Sequence, residues 1–537
     1  MIEFFYRTED IKLDEIAEYF VETARDREII NTLKARNPVV LAGSRGVGKS
    51  FLLRMAESEL QASFEEQRVL PVYVSFSRSS LINTTDSQQF QHWMLARICA
   101  RLTRALHSAG LISGKSQSLS ILTGDSEAIT PDHITAIENL ATRYEDSWKS
   151  APVSIDPSSL PELEDFKDAI QDICESTQVN RVVIFIDEAA HILLPEQQRQ
   201  FFTLFRDLRS PYLSCKAAVY PGVTSYGDTF QPTHDATMLS FERDILSSDY
   251  VETMREIVER QADSFILENI ARNNNNFAIL AYAASGNPRV LLKTLSRATK
   301  LSSTDINNVI REYYRNDLWS EHSTLPEKYA GHRHLIDWGR QFIESTVLPD
   351  LQRKNVQYLS QEQKSTCFFW IHRDAPQSVK EALKLLAYSG IVTEHASGIR
   401  ATRSEVGTRY SVNLGALIGL EATPAASGLQ IARNLTPRRM SEFGANHPSY
   451  QSLLDVMPTF SEPSLGAVLQ QQLVKPMTVL DLTAWQLAKL RELNLNTVGD
   501  VLRASEGQLK TLYYVGEKRA RSIRNTALAA VLEYLSG

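Results

Sequence analysis

The first half of this chain reads as a parallel α/β sheet with covering helices, and three observations predict it. The stretch VVLAGSRGVGKSFLLRMAE, from Val39, passes from an apolar run into glycines, a lysine and a serine before a helical pattern begins. A second continuous apolar run, Val182 to Ile186, ends in Asp187 and Glu188. Three shorter runs, PVYVSF from Pro71, KAAVYPG from Lys216 and MLSFERD from Met238, read as further strands with helical segments between them.

The first run carries chemistry. Gly43, four residues, then Gly48, Lys49 and Ser50 have the spacing of a P-loop, whose backbone N–H groups surround phosphates together with the N-terminus of the next helix. The context agrees, because Val39, Val40 and Leu41 suit a buried strand and Phe51, Leu52, Leu53 and Met55 start an amphipathic helix. Gly43, Gly46 and Gly48 permit the turn, Lys49 reaches the β- and γ-phosphates, and Ser50 can hold Mg²⁺. The expected cofactors are therefore ATP and Mg²⁺, with Phe51 and Asp187 completing the expected contacts.

The second run supplies the other half. A strand buried on both faces and ending in two acids presents them at the sheet edge where ligands of parallel sheets bind. Asp187 is placed to join the Mg²⁺ shell, and Glu188 to orient and polarise a water for attack on the γ-phosphate. Beyond the strand near Lys216, Thr224, with Ser225 behind it, is a candidate to sense the γ-phosphate or align that water; a turn residue after Pro221-Gly222 is the equal alternative. His191 reads as structural or exposed.

Composition bounds the rest. The 537 residues exceed one ordinary domain, and 57 Lys plus Arg against 64 Asp plus Glu leave a net charge of −7, so no global basic field announces nucleic acid. Cys99, Cys174, Cys215 and Cys367 are widely spaced, which argues against a zinc knuckle or a disulfide framework. The acidic opening MIEFFYRTEDIKLDE is no signal peptide and no apolar run approaches a membrane span, so a soluble cytoplasmic protein without membrane contact is expected.

The order of P-loop, Asp-Glu strand, polar strand end and a helical region containing SGNPRVLLKTLSRA resembles an AAA+ ATPase, in particular the origin-recognition and archaeal initiator branch. The resemblance covers about residues 15 to 300. It implies a helical lid in which Arg289, after Gly286-Asn287-Pro288, reaches the nucleotide. It also implies that FVETARDREI, from Phe20, lies on the adenine side, that subunits self-associate, and that an arginine completes a neighbour's site, with Arg206, Arg209 and Arg243 as candidates. One departure is the long segment between the second strand and Arg181, which reads as a partner surface or a mobile loop.

The expected domains are an AAA+-like core over 1–245, a lid over 246–304, a winged-helix-like domain over 305–420, a linker with short helices over 421–477 and a small all-α module over 478–537. In the third, QSVKEALKLLAYSGIV reads as a helix and the following residues as a hairpin; Lys380, Arg400, Arg403 and Arg409 are candidates to meet phosphates. The last stretch, with Tyr514-Val515-Gly516 between helical units and a basic helix after it, resembles a helix-hairpin-helix module like the C-terminal domain of the RNA polymerase α subunit. That resemblance implies a backbone phosphate site at Gly516, with Lys518, Arg519 and Arg521 around it. It departs at Trp485 and Ala488, where the polymerase domain is polar or basic, so DNA contact and protein docking both stay open.

Two functions follow. The first is a DNA-associated ATPase whose ATP cycle switches an assembly on nucleic acid. The second is a scaffold ATPase controlling a protein effector, such as a nuclease or transposase, in antiviral defence or a mobile element.

Overall fold

The computed structural model describes residues 4–535, apart from 79–81, 83–87, 113–115, 126–133, 148–153, 190–194, 228, 329–331, 403, 455–472 and 481. His191 and Arg403 therefore lie outside the described residues. The chain forms two compact units, one of Phe5–Tyr220 with Thr224–Glu242, the other built chiefly from Arg243–Gly537 with Pro221–Val223.

In the first unit, helix α1 (Ala24–Lys34) leads into β1 (Val39–Ala42), and α2 (Lys49–Ala62) returns the chain to β2 (Val69–Ser75). Thr23 and Asp26 close a capping box at the start of α1, which fixes where that helix begins. Four helices follow, α3 (Gln88–Ser108), α4 (Gln117–Thr123), α5 (Ala136–Glu145) and α6 (Leu163–Thr177). Then come β3 (Arg181–Asp187), α7 (Pro195–Asp207), β4 (Leu213–Val219) and β5 (Thr237–Ser240). The strands form one sheet in the order β2-β3-β4-β1-β5, every neighbouring pair parallel.

Strand alternation explains why the apolar runs are unbroken. Val39, Leu41, Val183 and Phe185 point into one core with Ile30, Leu33, Leu52, Leu53 and Ala56 of α1 and α2. Val40, Val182, Ile184 and Ile186 point into the other, with Trp93, Met94 and Ile98 of α3 and Phe166 of α6. Both faces are buried, so every residue of β3 between Arg181 and Asp187 is apolar. The segment left open as partner surface or mobile loop thus supplies, in its described helices, the layer that covers one face of the sheet.

A charged residue breaks the apolar rule inside β4. Lys216, in the interior of β4, is fully buried, and its Nζ donates to the carbonyls of Ala35 (2.6 Å) and Asn37 in the turn between α1 and β1. Loss of hydration pushes its pKa down to about 7.

The second unit opens with helices α8 (Tyr250–Glu259), α9 (Ser264–Arg272), α10 (Asn274–Ala283), α11 (Pro288–Arg297) and α12 (Ser303–Glu312). Asn287 caps α11 by accepting from the Val290 N–H at 3.3 Å, and Pro288 occupies the first turn, where its missing N–H costs nothing. After α13 (Arg333–Phe342) and α14 (Leu348–Ser360) come β6 (Phe368–His372), α15 (Gln377–Tyr388), β7 (Val392–Arg400), β8 (Val406–Val412) and β9 (Ser441–Phe443). They form a mixed sheet in the order β7-β8-β6-β9, antiparallel except for β6 with β9. Helix then hairpin is present as α15, β7 and β8. Within the stretch read as linker, β9 joins this sheet, and Leu429, Ile431, Phe443 and Tyr450 are buried. The chain ends in α16 (Ala484–Glu492), α17 (Val498–Arg503), α18 (Glu506–Lys510) and α19 (Glu517–Leu535), around a core of Leu490, Val498, Val501, Leu509, Ala520 and Ile523.

All four cysteines are buried free thiols, and no helix among the described residues is long and apolar enough to cross a membrane.

The buried lysine yields a pH dependence of stability. Unfolded, Lys216 keeps its proton to about pH 10.4; folded, it loses it at about 7, so above pH 7 unfolding takes up a proton and stability rises with pH. Between pH 7 and 8 the gain is about 1 kcal/mol. Urea unfolding followed by circular dichroism at both pH values checks this, with Lys216→Met losing the gain; an equal rise in both proteins contradicts it.

Candidate functional site

β1 lies between β4 and β5, so the turn that follows it is enclosed on two sides. Gly43 has no room for a side chain, because an added Cβ would meet the Phe241 carbonyl oxygen at 2.5 Å. Gly48, at φ 112°, adopts a backbone conformation that costs other residues energy, and the first turn of α2 begins directly after it. Lys49 is buried, with Nζ donating to the carbonyls of Gly43 (2.6 Å) and Ser44 (3.0 Å). The same ammonium lies 4.1 Å from the centre of the Tyr220 ring, which stands one residue past β4. Ser50 and Phe51 follow on α2, and the Phe51 ring stacks with Phe20 at 6.2 Å. That stack brings the segment expected on the adenine side against the P-loop helix.

A residue that the motif does not contain holds the turn. The Glu242 carboxylate, two residues past β5, accepts from both the backbone N–H and the hydroxyl of Ser44, each at 2.6 Å. Loss of hydration raises its pKa, while the Ser44 hydrogen bonds and the charge of Lys49 oppose the rise. Glu242 lies outside any local motif, beside the candidate Arg243.

The acids stand at the same C-terminal edge. Asp187, the last residue of β3, is 3% exposed; Oδ2 accepts from the Tyr73 hydroxyl at 2.5 Å, and Oδ1 accepts from the Glu188 N–H at 2.8 Å. Glu188 turns out of the strand at φ 55°, a left-handed conformation that is uncommon for a long side chain and is often held at functional sites. Its carboxyl is raised by loss of hydration and by Asp187, and is drawn back by Arg45 of the P-loop. The two acids and the loop therefore share one electrostatic neighbourhood. Thr224 donates its hydroxyl to the Tyr220 carbonyl at 2.6 Å, the local bond of a turn residue. The Ser225 N–H donates to Gln198, while its buried Oγ has no hydrogen-bond partner among the described residues.

The family description ORC-CDC6-like matches residues 4–355, more than half of the chain. The chain belongs to the ORC-CDC6-like family. Within the AAA+ proteins this is an initiator family. Among solved structures, this ORC-CDC6-like chain is similar to the ORC1 protein of Aeropyrum pernix in complex with DNA, at 14% identity, 78% coverage of this chain and 93% of that one, with a TM-score of 0.28. It is also similar to Drosophila ORC bound to DNA (14%, 74% and 94%, TM-score 0.24) and to AMPPCP-bound DnaA from Aquifex aeolicus (13%, 67% and 93%, TM-score 0.24). At those scores the family assignment rests on the family match alone. No curated protein matches the chain.

The remaining candidates of this ORC-CDC6-like protein are dispersed. Arg289 sits on the first turn of α11, in the second unit. Arg206 is engaged by Asp207 and by the Thr229 carbonyl, whereas Arg209 is exposed. In the second unit Lys380 donates to the Arg373 carbonyl and Arg409 to that of Pro437, with the Arg409 guanidinium over the Phe368 ring; Arg400 is exposed. Arg409 thus buttresses the mixed sheet. At the C-terminal end, Gly516 has open space around it and no left-handed φ; Tyr514, at φ 64°, makes that turn instead. Arg519 donates to the Tyr514 carbonyl, Lys518 is exposed, and Arg521 is engaged by Glu506, Glu517 and Asn446.

Glu242 and Ser44 make a testable pair. Glu242→Leu strands the buried Ser44 N–H, at a cost of about 1–3 kcal/mol, and weakens ATP binding in a fluorescent-nucleotide titration. Glu242→Gln keeps the accepting oxygen and removes a negative charge beside an anion site, so it retains the thermal midpoint and binds ATP at least as tightly as the wild type. Equal affinities for the leucine variant and the wild type would show that the contact does not organise the loop.

Proposed function

We propose that this protein is a Mg²⁺-dependent ATPase that assembles on or remodels a DNA-bound complex, with ATP binding and hydrolysis as its conformational switch. The observation that carries the ATPase reading is the convergence of the P-loop, Asp187 and Glu188 at one edge of a single parallel sheet. Membership of an initiator family supports the DNA-associated part of the reading.

The residues present fit the nucleotide and its metal. Gly46, Gly48, Lys49 and Ser50 lie where a glycine-rich loop meets a helix N-terminus, which suits an anion, and the hydroxyl of Ser50 and carboxylate of Asp187 are the hard oxygen donors Mg²⁺ prefers. Bound Mg²⁺ neutralises charge on the phosphates. Tyr73 orients Asp187, leaving that carboxylate's remaining lone pairs for the metal's water shell. Glu188, raised toward neutrality by burial yet still drawn to Arg45, is suited to take a hydrogen bond from a water and polarise it. Arg289 in the lid is proposed to reach the nucleotide, and Thr224 past β4 to sense the γ-phosphate or align the water. The C-terminal helices read as a helix-hairpin-helix module, and the α15–β7–β8 arrangement as a winged helix, both consistent with nucleic-acid contact.

Lys49→Ala is expected to weaken ATP binding on the order of 100-fold, because it removes a charge-assisted contact to phosphate. Glu188→Gln keeps that affinity and lowers turnover by roughly 100-fold or more. Calorimetric titration beside a phosphate-release assay separates them, and wild-type hydrolysis by Glu188→Gln would remove this residue from the mechanism. A nonhydrolysable ATP analogue is expected to raise the mass seen by light scattering; an unchanged monomer would exclude nucleotide-driven self-association.

A further inference from the structure

We infer that an exposed patch on the C-terminal helices is a stacking platform for single-stranded nucleic acid. This deepens the DNA-associated reading above and rests on it only for its biological setting. Trp485 at the start of α16 is 40% exposed, and Tyr513 and Tyr514, between α18 and α19, are 74% and 68% exposed. Rings of this size seldom stand so far into water without a partner to cover them.

Arg519 links the three residues. Arg519 on the first turn of α19 places its guanidinium 5.3 Å from the centre of the Trp485 ring and donates to the Tyr514 carbonyl at 2.7 Å. Tyr514 meets Tyr513 edge to face, with ring centres 4.8 Å apart. Tyr514 is also held at φ 64°, a left-handed backbone that is strained for a bulky residue. The neighbouring cation Lys518 is exposed as well.

Rings and cations in one connected group match the two parts of a nucleic-acid single strand. Unpaired bases offer faces for the rings whatever their identity, and the backbone phosphates offer charges for Arg519 and Lys518. A duplex hides its base faces, so its only contact here would be the backbone. That contact is weakened by Glu517, whose negative charge in the first turn of α19 repels a phosphate, and by the engagement of Arg521 with Glu506 and Glu517. Trp, Tyr and Arg also anchor protein interfaces, but the exposed cations Lys518 and Arg519 beside these rings are the partners a polyanionic strand requires.

Fluorescence anisotropy of the full-length protein tests this with labelled oligo-dT and oligo-rU of about 20 nucleotides and a duplex of equal length. The wild type is expected to bind at least one single strand more tightly than the duplex, the two arms separating DNA from RNA. Trp485→Ala and Tyr513→Ala each weaken single-strand binding by roughly tenfold, and Trp485→Phe recovers most of the loss. Lys518→Ala with Arg519→Ala flattens the salt dependence. ATP binding is measured on the same samples, so absent nucleotide binding would sink the ATPase reading and leave this one standing. An oligo-dT and oligo-rU affinity unchanged by removing both rings overturns the platform, as does duplex preference or no single-strand binding at about 50 mM salt. Loss of a co-purifying protein from the ring variants, with oligonucleotide affinity intact, overturns it too.

Discussion

The phosphate end of the first unit depends on how closely the turn after β1 is clamped to the end of β5. The contact of Gly43 with the Phe241 carbonyl and the two hydrogen bonds from Ser44 to Glu242 leave the turn one path from strand to helix. Along that path Lys49 is carried inward onto loop carbonyls and over Tyr220, and α2 begins where Gly48 releases the chain. A glycine-rich loop is conformationally permissive, and that freedom would oppose phosphate binding if it had to be lost on each encounter. Fixing it in advance with backbone packing and one carboxylate removes much of that cost.

The same clamp sets an electrostatic balance. Glu242, Asp187 and Glu188 are three acids near a loop that is to receive a polyanion, and Lys49 and Arg45 are the cations that offset them. Hydrogen bonds keep two of the acids occupied: Glu242 by Ser44, Asp187 by Tyr73 and the Glu188 N–H. Glu188 differs in being half-buried and in being turned out of the strand by its left-handed backbone. An acid that is desolvated and not tied down is the one suited to proton chemistry, whereas its tied neighbour is suited to holding a fixed charge.

What the sequence disclosed follows from range. The strands were legible because burial on both faces forces continuous apolar runs, and the P-loop because its requirements fall within eight consecutive residues. Glu242 was not, since it meets Ser44 across 198 positions and only because β5 lies beside β1. Tyr220 and Tyr73 were missed for the same reason: their roles come from β4 lying beside β1 and from β2 lying beside β3. The segment between β2 and β3 stands out by its length, and what its sequence does not disclose is that helices in it, through Trp93, Met94, Ile98 and Phe166, cover one face of the sheet. At the C-terminal end Tyr514, not Gly516, takes the left-handed backbone in the turn between the helices, a choice no propensity predicts.

The second unit divides its basic residues by a simple rule. Arg409, Lys380 and Arg521 are spent on carbonyls or carboxylates of their own unit, and Arg400 and Lys518 remain on the surface. Helix α15, which in a helix-then-hairpin arrangement is the element that would be offered to a groove, buries Val379, Ala382, Leu383 and Leu386, and both α13 and α19 pack against it. A helix covered on two sides has little surface left for reading base edges, and its only lysines face Arg373 and Glu381. Under the proposed DNA-associated function, contact with nucleic acid in this unit would fall to the β7–β8 hairpin, with Arg400 at its tip, and to the ring-bearing turn before α19. Elements of that kind can reach a phosphate backbone or an unstacked base without entering a groove, which is the geometry that sequence-independent binding needs.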